Sequence, residues 1–402
     1  AMFDTIVPRG VDQLMALTQA FRKDDRTQKV DLIVGVYKDD TGGVPIMSAV
    51  KKAEAHLVAA ETTKNYVGVI GDAEVNRIAP QLVLGENAPA IMDKRIGAVQ
   101  TPGGSGALKV GFDLINSIRP GAKVWMSRPT WANHMPIARD AGMQIDSYPY
   151  FRESDRGLDF EAMMAHLDAE AVAGDVILLH ACCHNPTGVD LAMPHWEALC
   201  KLIVARGLVP FVDSAYQGLG TSMEEDVAGL RHLAEHVPEM LIASSFSKNF
   251  GIYRERCGAL TVIAKDEDSV PLIMAALQSV IRSNYSMPPS HGARIVGTVF
   301  GDAALKAEWA EELEVMRQRI AETRVLLRAK MEELQVTSDL SFLTDQRGMF
   351  SYTGFTSDQV NRLRDEFGVY TAGDGRINVA GVGSENIDYV ASSFAAVMRS
   401  EH

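Results

Sequence analysis

The segment SSFSKNFG, residues 244–251, places a single lysine, Lys248, between small hydroxyl side chains and aromatic rings. It follows the apolar run Leu241–Ala243, which has the short form typical of a buried strand. A lysine at the end of such a strand is partly desolvated, and desolvation lowers the pKa of its amine and frees a nucleophile. The segment predicts a lysine that reacts with an aldehyde, although a solvated lysine in a loop is also consistent with this sequence.

Outward from this segment, short apolar runs that end in polar or small residues recur along the chain. They alternate with helical stretches, and this alternation predicts an α/β fold with a parallel sheet covered on both faces. The predicted strands are Ile96–Gln100, Val124–Ser127, Val176–His180, Leu208–Asp213, Leu241–Ser245 and Gly258–Ile263.

One segment carries a different period. Between Ala303 and Val336 the apolar residues recur in steps of three, four and seven, which predicts one helix of roughly 30 residues and about 45 Å. A helix of this length can leave one domain and enter another. We therefore predict an N-terminal segment, 1–43, that belongs to a small domain, a large domain over 44–315, and the rest of the small domain over 316–402.

The C-terminal part of the chain has its own pattern of elements. Gly348–Phe355 and Arg376–Ala380 are predicted as strands, and Ser357–Phe367 between them as a helix. The small domain is therefore predicted to be of the α+β type.

Composition excludes several classes of protein. The 402 residues include 39 Lys and Arg against 52 Asp and Glu, a formal charge of −13, which argues against a general nucleic-acid binder. No apolar run approaches the ~18 residues of a membrane helix, and the N-terminus lacks an apolar signal core, so a cytoplasmic protein is expected. Four cysteines without CxxC spacing predict reduced thiols and no metal site.

A glycine-rich turn offers a place for an anion. TPGGSGAL, residues 101–108, follows a predicted strand and opens a helix, so Gly104, Ser105 and the helix N-terminus could hold a phosphate. A plain strand-to-helix turn has the same composition.

Polar and aromatic residues follow several of the other predicted strands. Asp213 ends one strand and suits a protonated ring nitrogen, although a helix N-cap aspartate is as common. Tyr216 can reach the same cavity or pack in the core. Asn185 lies in the turn CHNPTG, residues 183–188, and Trp131 could stack on a flat ring or fill the core.

Arg256, Arg282 and Arg376 stand beside predicted turns. Arginine forks match carboxylates and phosphates, although a single arginine more often forms a surface ion pair. Taken together, the set offers an anion cradle, an isolated lysine, a carboxylate for a ring nitrogen, a stacking aromatic and arginines for carboxylates. Pyridoxal phosphate (PLP) with an amino-acid substrate needs all of these.

The chain resembles the aspartate/aromatic amino acid aminotransferases, which are class I members of the fold-type I PLP-dependent aminotransferases. The resemblance implies a large, mostly parallel seven-stranded sheet domain and a smaller α+β domain joined by a long helix. The blocks that carry it, in the family's order, are VGVYKDDTG (34–42), TTKNYVG (62–68), TPGGSGALK (101–109), CCHNPTG (182–188), DSAYQG (213–218), SFSKNFGIYRERCG (245–258), NYSMPPSHGARIV (284–296) and GRINVAG (375–381).

The resemblance implies catalytic and cofactor roles for single residues. Lys248 is implied as the lysine that is linked to PLP and carries the proton, and Asp213 as the partner of the pyridine nitrogen. Tyr216 and Asn185 are implied to bond the cofactor's phenolic oxygen, and Trp131 to stack on its ring. The implied phosphate ligands are Gly104, Ser105, Ser245, Arg256 and, from the neighbouring subunit of a homodimer, Tyr66.

The resemblance also implies a substrate pocket. Arg376 binds the substrate α-carboxylate, and Arg282 of the neighbouring subunit binds a distal carboxylate. Gly35, with Trp131 and Asn185, lines the pocket. His134 is implied as a partner of Asp213 behind the cofactor.

The implied reaction is ping-pong transfer of an amino group between L-aspartate or aromatic L-amino acids and a 2-oxo acid such as 2-oxoglutarate. Met287 stands where the aspartate enzymes usually carry Asn, and methionine suits apolar side chains. Three alternatives stay open: a smaller acceptor such as glyoxylate, a PLP β-lyase or decarboxylase, and a non-catalytic binding module.

Overall fold

The computed structural model describes residues 1–10 and 12–399; residues 11 and 400–402, which the predicted domains include, lie outside the described residues. The helices are α1 Gln13–Lys23, α2 Ser48–Ala60, α3 Ala73–Leu84, α4 Pro89–Met92, α5 Gly103–Ile118, α6 His134–Asp140, α7 Phe160–Glu170, α8 Met193–Arg206, α9 Ala228–His236, α10 Val270–Asn284, α11 His291–Phe300, α12 Ala303–Glu333, α13 Phe342–Asp345, α14 Ser357–Phe367 and α15 Ile387–Arg399. Short 3-10 turns cover Met2–Thr5, Glu225–Val227, Tyr253–Glu255, Glu267–Ser269 and Val379–Gly381.

The strands complete the order of elements along the chain. They are β1 Val30–Asp31, β2 Ile96–Pro102, β3 Lys123–Arg128, β4 Gln144–Pro149, β5 Phe151–Arg152, β6 Gly157–Leu158, β7 Val176–His180, β8 Val209–Ser214, β9 Met240–Ser245, β10 Cys257–Ile263, β11 Phe350–Tyr352, β12 Val369–Tyr370 and β13 Arg376–Asn378.

The central sheet has seven strands in the order β2-β10-β9-β8-β7-β3-β4. Strand β10 runs antiparallel to both of its neighbours, and the other neighbouring pairs are parallel. The prediction of a mostly parallel seven-stranded sheet is confirmed. Strand β4 was not among the strands predicted from apolar runs, because this edge strand carries the polar residues Gln144, Asp146 and Ser147.

Helices cover both faces of the sheet, as predicted. On one face Leu108 and Phe112 of α5 pack in one cluster with Phe211 of β8. On the other face Val212, the next residue, packs with apolar side chains of α8 and α9 such as Leu199. The alternation along β8 follows from the two-residue period of a strand.

The long helix is present as α12, with 31 residues. It ends at Glu333, three residues before the predicted end, and Gln335 takes the left-handed conformation at φ 62°. Its first half packs in one apolar cluster and its second half in another. The predicted domain boundary between residues 315 and 316 falls inside this helix, and the division into domains stays a prediction.

The C-terminal strands are shorter than predicted. Strand β11 covers only Phe350–Tyr352, because the flanking Gly348 and Gly354 have φ of 85° and 73° and turn the chain. Strand β13 pairs with it antiparallel and passes into a 3-10 turn at Val379. Strand β1 pairs with β12, so the N-terminal segment packs beside the C-terminal part. None of the helices in the described ranges combines the length and apolarity needed to cross a membrane.

Candidate active site

A cavity of about 570 Å³ lies at the carboxyl ends of the parallel strands. Strands β7, β8 and β9 end there at His180, Ser214 and Ser245, and ligand sites of open parallel sheets lie at this edge. Most of the predicted site residues line this single cavity, namely Gly35, Gly104, Ser105, Trp131, Asn185, Asp213, Tyr216, Ser245, Lys248, Arg256 and Arg376.

Lys248 lies in the cavity directly after β9, where it is partly buried. Desolvation lowers the pKa of its amine, the negative charge of Asp213 opposes this shift, and the positive charge of Arg256 adds to it. The Nζ atom lies 5.3 Å from the ring centroid of Tyr216. Burial raises the pKa of the Tyr216 phenol, which therefore stays neutral and can donate a hydrogen bond.

Asp213 is held by a chain of polar side chains that begins at the buried His134. Its Oδ2 lies 2.8 Å from Nε2 of His134, at the start of α6. The other ring nitrogen of His134 lies 2.7 Å from Oγ1 of Thr130, which lies 3.0 Å from Nε2 of His180. Burial lowers the pKa of His180 to about 3, so this ring is neutral. The predicted partner of Asp213 therefore lies in contact with it, although outside the cavity.

The glycine-rich turn forms the N-terminus of α5 at the cavity wall. Gly103 has a φ of 69°, and a Cβ on Gly104 would lie only 3.2 Å from the Cβ of Ser245. The Nη1 of Arg256 donates to the carbonyl of Tyr253 at 3.1 Å, and no carboxylate in the described chain pairs with Arg256. An anion can bind here, because the start of α5 presents free backbone N–H groups, a serine hydroxyl lies beside them, and Arg256 has no counter-charge.

Arg376 begins strand β13 and is buried. Its Nη1 donates to Oδ1 of Asn185 at 3.3 Å and its Nη2 to the carbonyl of Ile33 at 2.8 Å, while the buried Nε has no partner. Its guanidinium carbon lies 4.3 Å from the ring centroid of Phe350. Burial lowers the pKa of Arg376, and within residues 1–10 and 12–399 no carboxylate forms an ion pair with it.

Like His134, two further predicted site residues lie outside this cavity. Tyr66 is 87% exposed in the segment after α2. Arg282 is exposed near the end of α10 and donates to the Ser286 hydroxyl. Next to Tyr66, the N–H of Val67 donates to the sulfur of Met287 at 3.2 Å. Both residues were predicted to serve a neighbouring subunit, and this role stays a prediction.

The structure adds residues that the sequence did not reveal. Phe350 lies beside Arg376, and a Cβ on Gly35 would lie 3.1 Å from its ring. Helix α1 covers the cavity with Leu14, Met15 and Arg22, among others. No sequence pattern marks Phe350 as a site residue. The apolar stripe of α1 between Leu14 and Phe21, by contrast, could have been found by its helical spacing.

A lysine and an aspartate at the carboxyl edge of this seven-stranded sheet, next to an anion site, define an enzyme of the fold-type I PLP-dependent transferases. The chain belongs to the family "Aminotransferase class I and II", whose model matches residues 27–394. The predictions of the family, the enzyme class and the fold type are confirmed.

Relatives and solved structures extend over the whole chain. The chain is 45% identical over 397 residues to the "Aspartate aminotransferase" of Salmonella typhi, covering 99% of this chain and 100% of that protein. It is 45% identical to the "Aromatic-amino-acid aminotransferase" of Pseudomonas aeruginosa, over 96% of both chains. The aromatic-amino-acid aminotransferase of Burkholderia pseudomallei, solved covalently bound to pyridoxal phosphate, has a TM-score of 0.97 and 41% identity, and the match covers 99% and 100% of the two chains.

Proposed function

We propose that this chain is a PLP-dependent aminotransferase that moves the amino group between L-aspartate or aromatic L-amino acids and a 2-oxo acid such as 2-oxoglutarate. The observation that carries the proposal is the presence of Lys248, Asp213, an anion site and Arg376 in one cavity. The names of the relatives, which include aspartate and aromatic-amino-acid enzymes, support both substrate classes.

The residues of the cavity fit PLP. The turn at Gly104 and Ser105, with Ser245 and Arg256, would hold its phosphate, because these groups offer donors and positive charge without an internal carboxylate. Asp213 would pair with the ring nitrogen. The remaining contacts would come from Asn185 and Tyr216 at the phenolic oxygen and from Trp131 at the ring face.

When bound, PLP supplies an electron sink for the electrons released at the substrate Cα. Asp213 would keep the ring nitrogen protonated, because an adjacent carboxylate favours the charged form. His134 holds that carboxylate in place through its 2.8 Å contact. The Lys248 amine, whose pKa is lowered by burial, would take the proton from the substrate Cα as general base and then, as general acid, deliver it to a carbon of the cofactor.

Arg376 binds the substrate α-carboxylate in this proposal. Its guanidinium is already oriented by Asn185 and Ile33, and its Nε donor lacks a partner. A carboxylate at this position would satisfy the free donor and neutralise a buried positive charge. Holding the carboxylate fixes which substrate bond points toward Lys248.

The proposed enzyme is a homodimer in which each subunit completes the other's site. Tyr66 would contact the neighbour's PLP phosphate, and Arg282 would bind the distal carboxylate of a dicarboxylic substrate. The exposure of both side chains, outside their own cavity, supports this arrangement. We place the enzyme in the cytoplasm, where its four free, buried cysteines would stay reduced.

Reduction of the PLP-loaded enzyme with borohydride tests the core of the proposal. We expect intact-mass and peptide analysis to find one PLP adduct per chain on Lys248, and the Lys248→Arg variant to lack both adduct and turnover. A matrix of amino donors and 2-oxo acids then assigns the substrates. An adduct on another lysine, or formation of ammonia or carbon dioxide without any oxo acid, would overturn the proposal.

A further inference from the structure

Cys200, His232 and His236 meet where α8 packs against α9. Cys200 lies on α8, and the two histidines lie one turn apart on α9. One ligand atom of each side chain lies within 4.8 Å of the ligand atoms of the other two. None of the three residues lines the active-site cavity, so the proposed aminotransferase reaction does not account for the cluster.

The rings of the two histidines lie next to each other at the end of α9. Their ring centroids lie 4.4 Å apart with 33° between the ring planes. Nδ1 of His236 lies 2.8 Å from the carbonyl oxygen of His232, which can only accept a hydrogen bond. Nδ1 of His236 therefore carries the proton and Nε2 keeps its lone pair, which is the tautomer that a metal-binding histidine with a carbonyl partner adopts.

Cys200 supplies a different kind of ligand. Its side chain is only 3% exposed, and it forms no disulfide. One sulfur and two imidazole nitrogens form a borderline-soft ligand set, which suits Zn²⁺ better than Mg²⁺ or Ca²⁺.

We propose that Cys200, His232 and His236 form a Zn²⁺ site that links α8 to α9, with a water as the fourth ligand. Zinc bonds of about 2.3 Å to sulfur and 2.0–2.1 Å to nitrogen, at tetrahedral angles, place two ligand atoms roughly 3.3–3.6 Å apart, about 1 Å closer than the 4.8 Å limit here. The three atoms therefore need only small side-chain rotations to bind one ion. His236 is exposed and His232 half-buried, which permits such rotations.

The site has a consequence for the fold. Helix α8 leads into β8, which carries Asp213, and α9 leads into β9, which ends just before Lys248. A metal that bridges the two helices stabilises the layer that supports both strands. Zinc binding is therefore expected to raise the melting temperature of the enzyme without entering its active site.

Metal titration of tag-free, PLP-loaded enzyme, stripped of metals beforehand, tests the site. We expect calorimetry to show one Zn²⁺ per chain, and Co²⁺ to bind with a thiolate-to-cobalt charge-transfer band. His236→Gln is expected to weaken binding by about tenfold or more, and Cys200→Ser to abolish the band. His56→Gln, which changes an exposed helical histidine on α2, is the matched control and should bind Zn²⁺ as the unmodified chain does.

The exposed position of His236 keeps the test valid even if Cys200→Ser folds poorly, and the two variants are compared by circular dichroism. Absence of saturable Zn²⁺ binding would overturn the proposal. Binding of equal strength in His236→Gln and in the unmodified chain would do the same, as would a Co²⁺ complex without a thiolate band.

Discussion

Nε2 of His134 lies 2.8 Å from Oδ2 of Asp213, and the His134 side chain has no exposed surface. Because the carboxylate can only accept, Nε2 carries the proton and Nδ1 accepts from the Thr130 hydroxyl. The hydroxyl in turn accepts from His180, whose low pKa keeps it neutral. With this proton order, the Nε2–H of His134 donates to Asp213, which faces the cavity.

His134→Asn is therefore expected to lower kcat while leaving KM nearly unchanged. The change removes one hydrogen bond to a charged group, worth about 1.5–3 kcal/mol, or roughly 10- to 100-fold in rate. Steady-state kinetics with saturating PLP measures it, with the exposed His56→Asn as control. An equal loss in both variants, or a change in KM alone, would contradict the role given to His134.

The lowered pKa of Lys248 predicts how cofactor capture depends on pH. Only the neutral amine attacks an aldehyde, so PLP uptake by the apoenzyme should rise with pH. It should level off below pH 10.5, the ordinary pKa of lysine, because burial shifts the titration down. Stopped-flow absorbance measures the uptake, with the amine of a short lysine peptide as comparison. If PLP uptake by the enzyme and by the peptide levels off at the same pH, burial does not lower the pKa of the Lys248 amine.

Arg376→Lys should reduce kcat/KM for every amino-acid substrate. Lysine keeps the charge but loses the planar fork and leaves Asn185 and Ile33 without their donors. Impairing a buried, hydrogen-bonded charge contact costs about 2–5 kcal/mol, so a loss of roughly 30-fold or more is expected. Arg77→Lys, on the exposed face of α3, should leave kcat/KM unchanged. Retained affinity for 2-oxo acids in Arg376→Lys would assign the α-carboxylate to another group.

Arg282→Leu should separate the two substrate classes. Loss of a charged hydrogen bond to the distal carboxylate is expected to lower kcat/KM for aspartate by roughly 10- to 100-fold and to spare phenylalanine.

Unfolding and refolding an equal mixture of Arg282→Leu and Lys248→Ala chains tests the shared site. Mixed dimers contain one intact site, so about one quarter of the aspartate activity should return. No recovery in refolded mixed dimers would place Arg282 in the site of its own chain.

Gly111→Ala should destabilise the fold relative to Gly297→Ala. Both glycines lie inside helices, so both variants gain the same helix preference. A Cβ at Gly111 would lie 2.5 Å from Cζ of Phe211, whereas the nearest atom to a Cβ at Gly297 is 3.4 Å away. Overpacking the sheet beneath α5 costs about 1–3 kcal/mol, which denaturant unfolding of the two holoenzymes should show. Equal midpoints would indicate that Phe211 moves freely.

The sequence predicted the sheet well because buried strands are apolar runs. Strand β7 has the bounds that were predicted, Val176–His180. The direction of β10 could not be predicted, because an apolar run has the same composition in either direction. The carboxyl ends of parallel strands meet at one edge, and this rule alone brings Asp213 and Lys248 together.

Other parts of the site depend on contacts between distant segments. Phe350 and Arg376 lie beside Ile33 and Gly35, more than 300 residues away in the chain, and no local pattern encodes that approach. The cluster on α8 and α9 was missed for a related reason. The spacing of His232 and His236 was visible, but Cys200 joins them only through the packing of two helices.

Helix α12 contributes Trp309 and Ile320 to one apolar cluster and Leu327 and Met331 to another. A cleavage of the chain within this helix would remove side chains of α12 from the hydrophobic core of each fragment. The two parts are therefore mutually dependent for folding. Independent expression of either fragment would give aggregation-prone protein rather than a working half-enzyme.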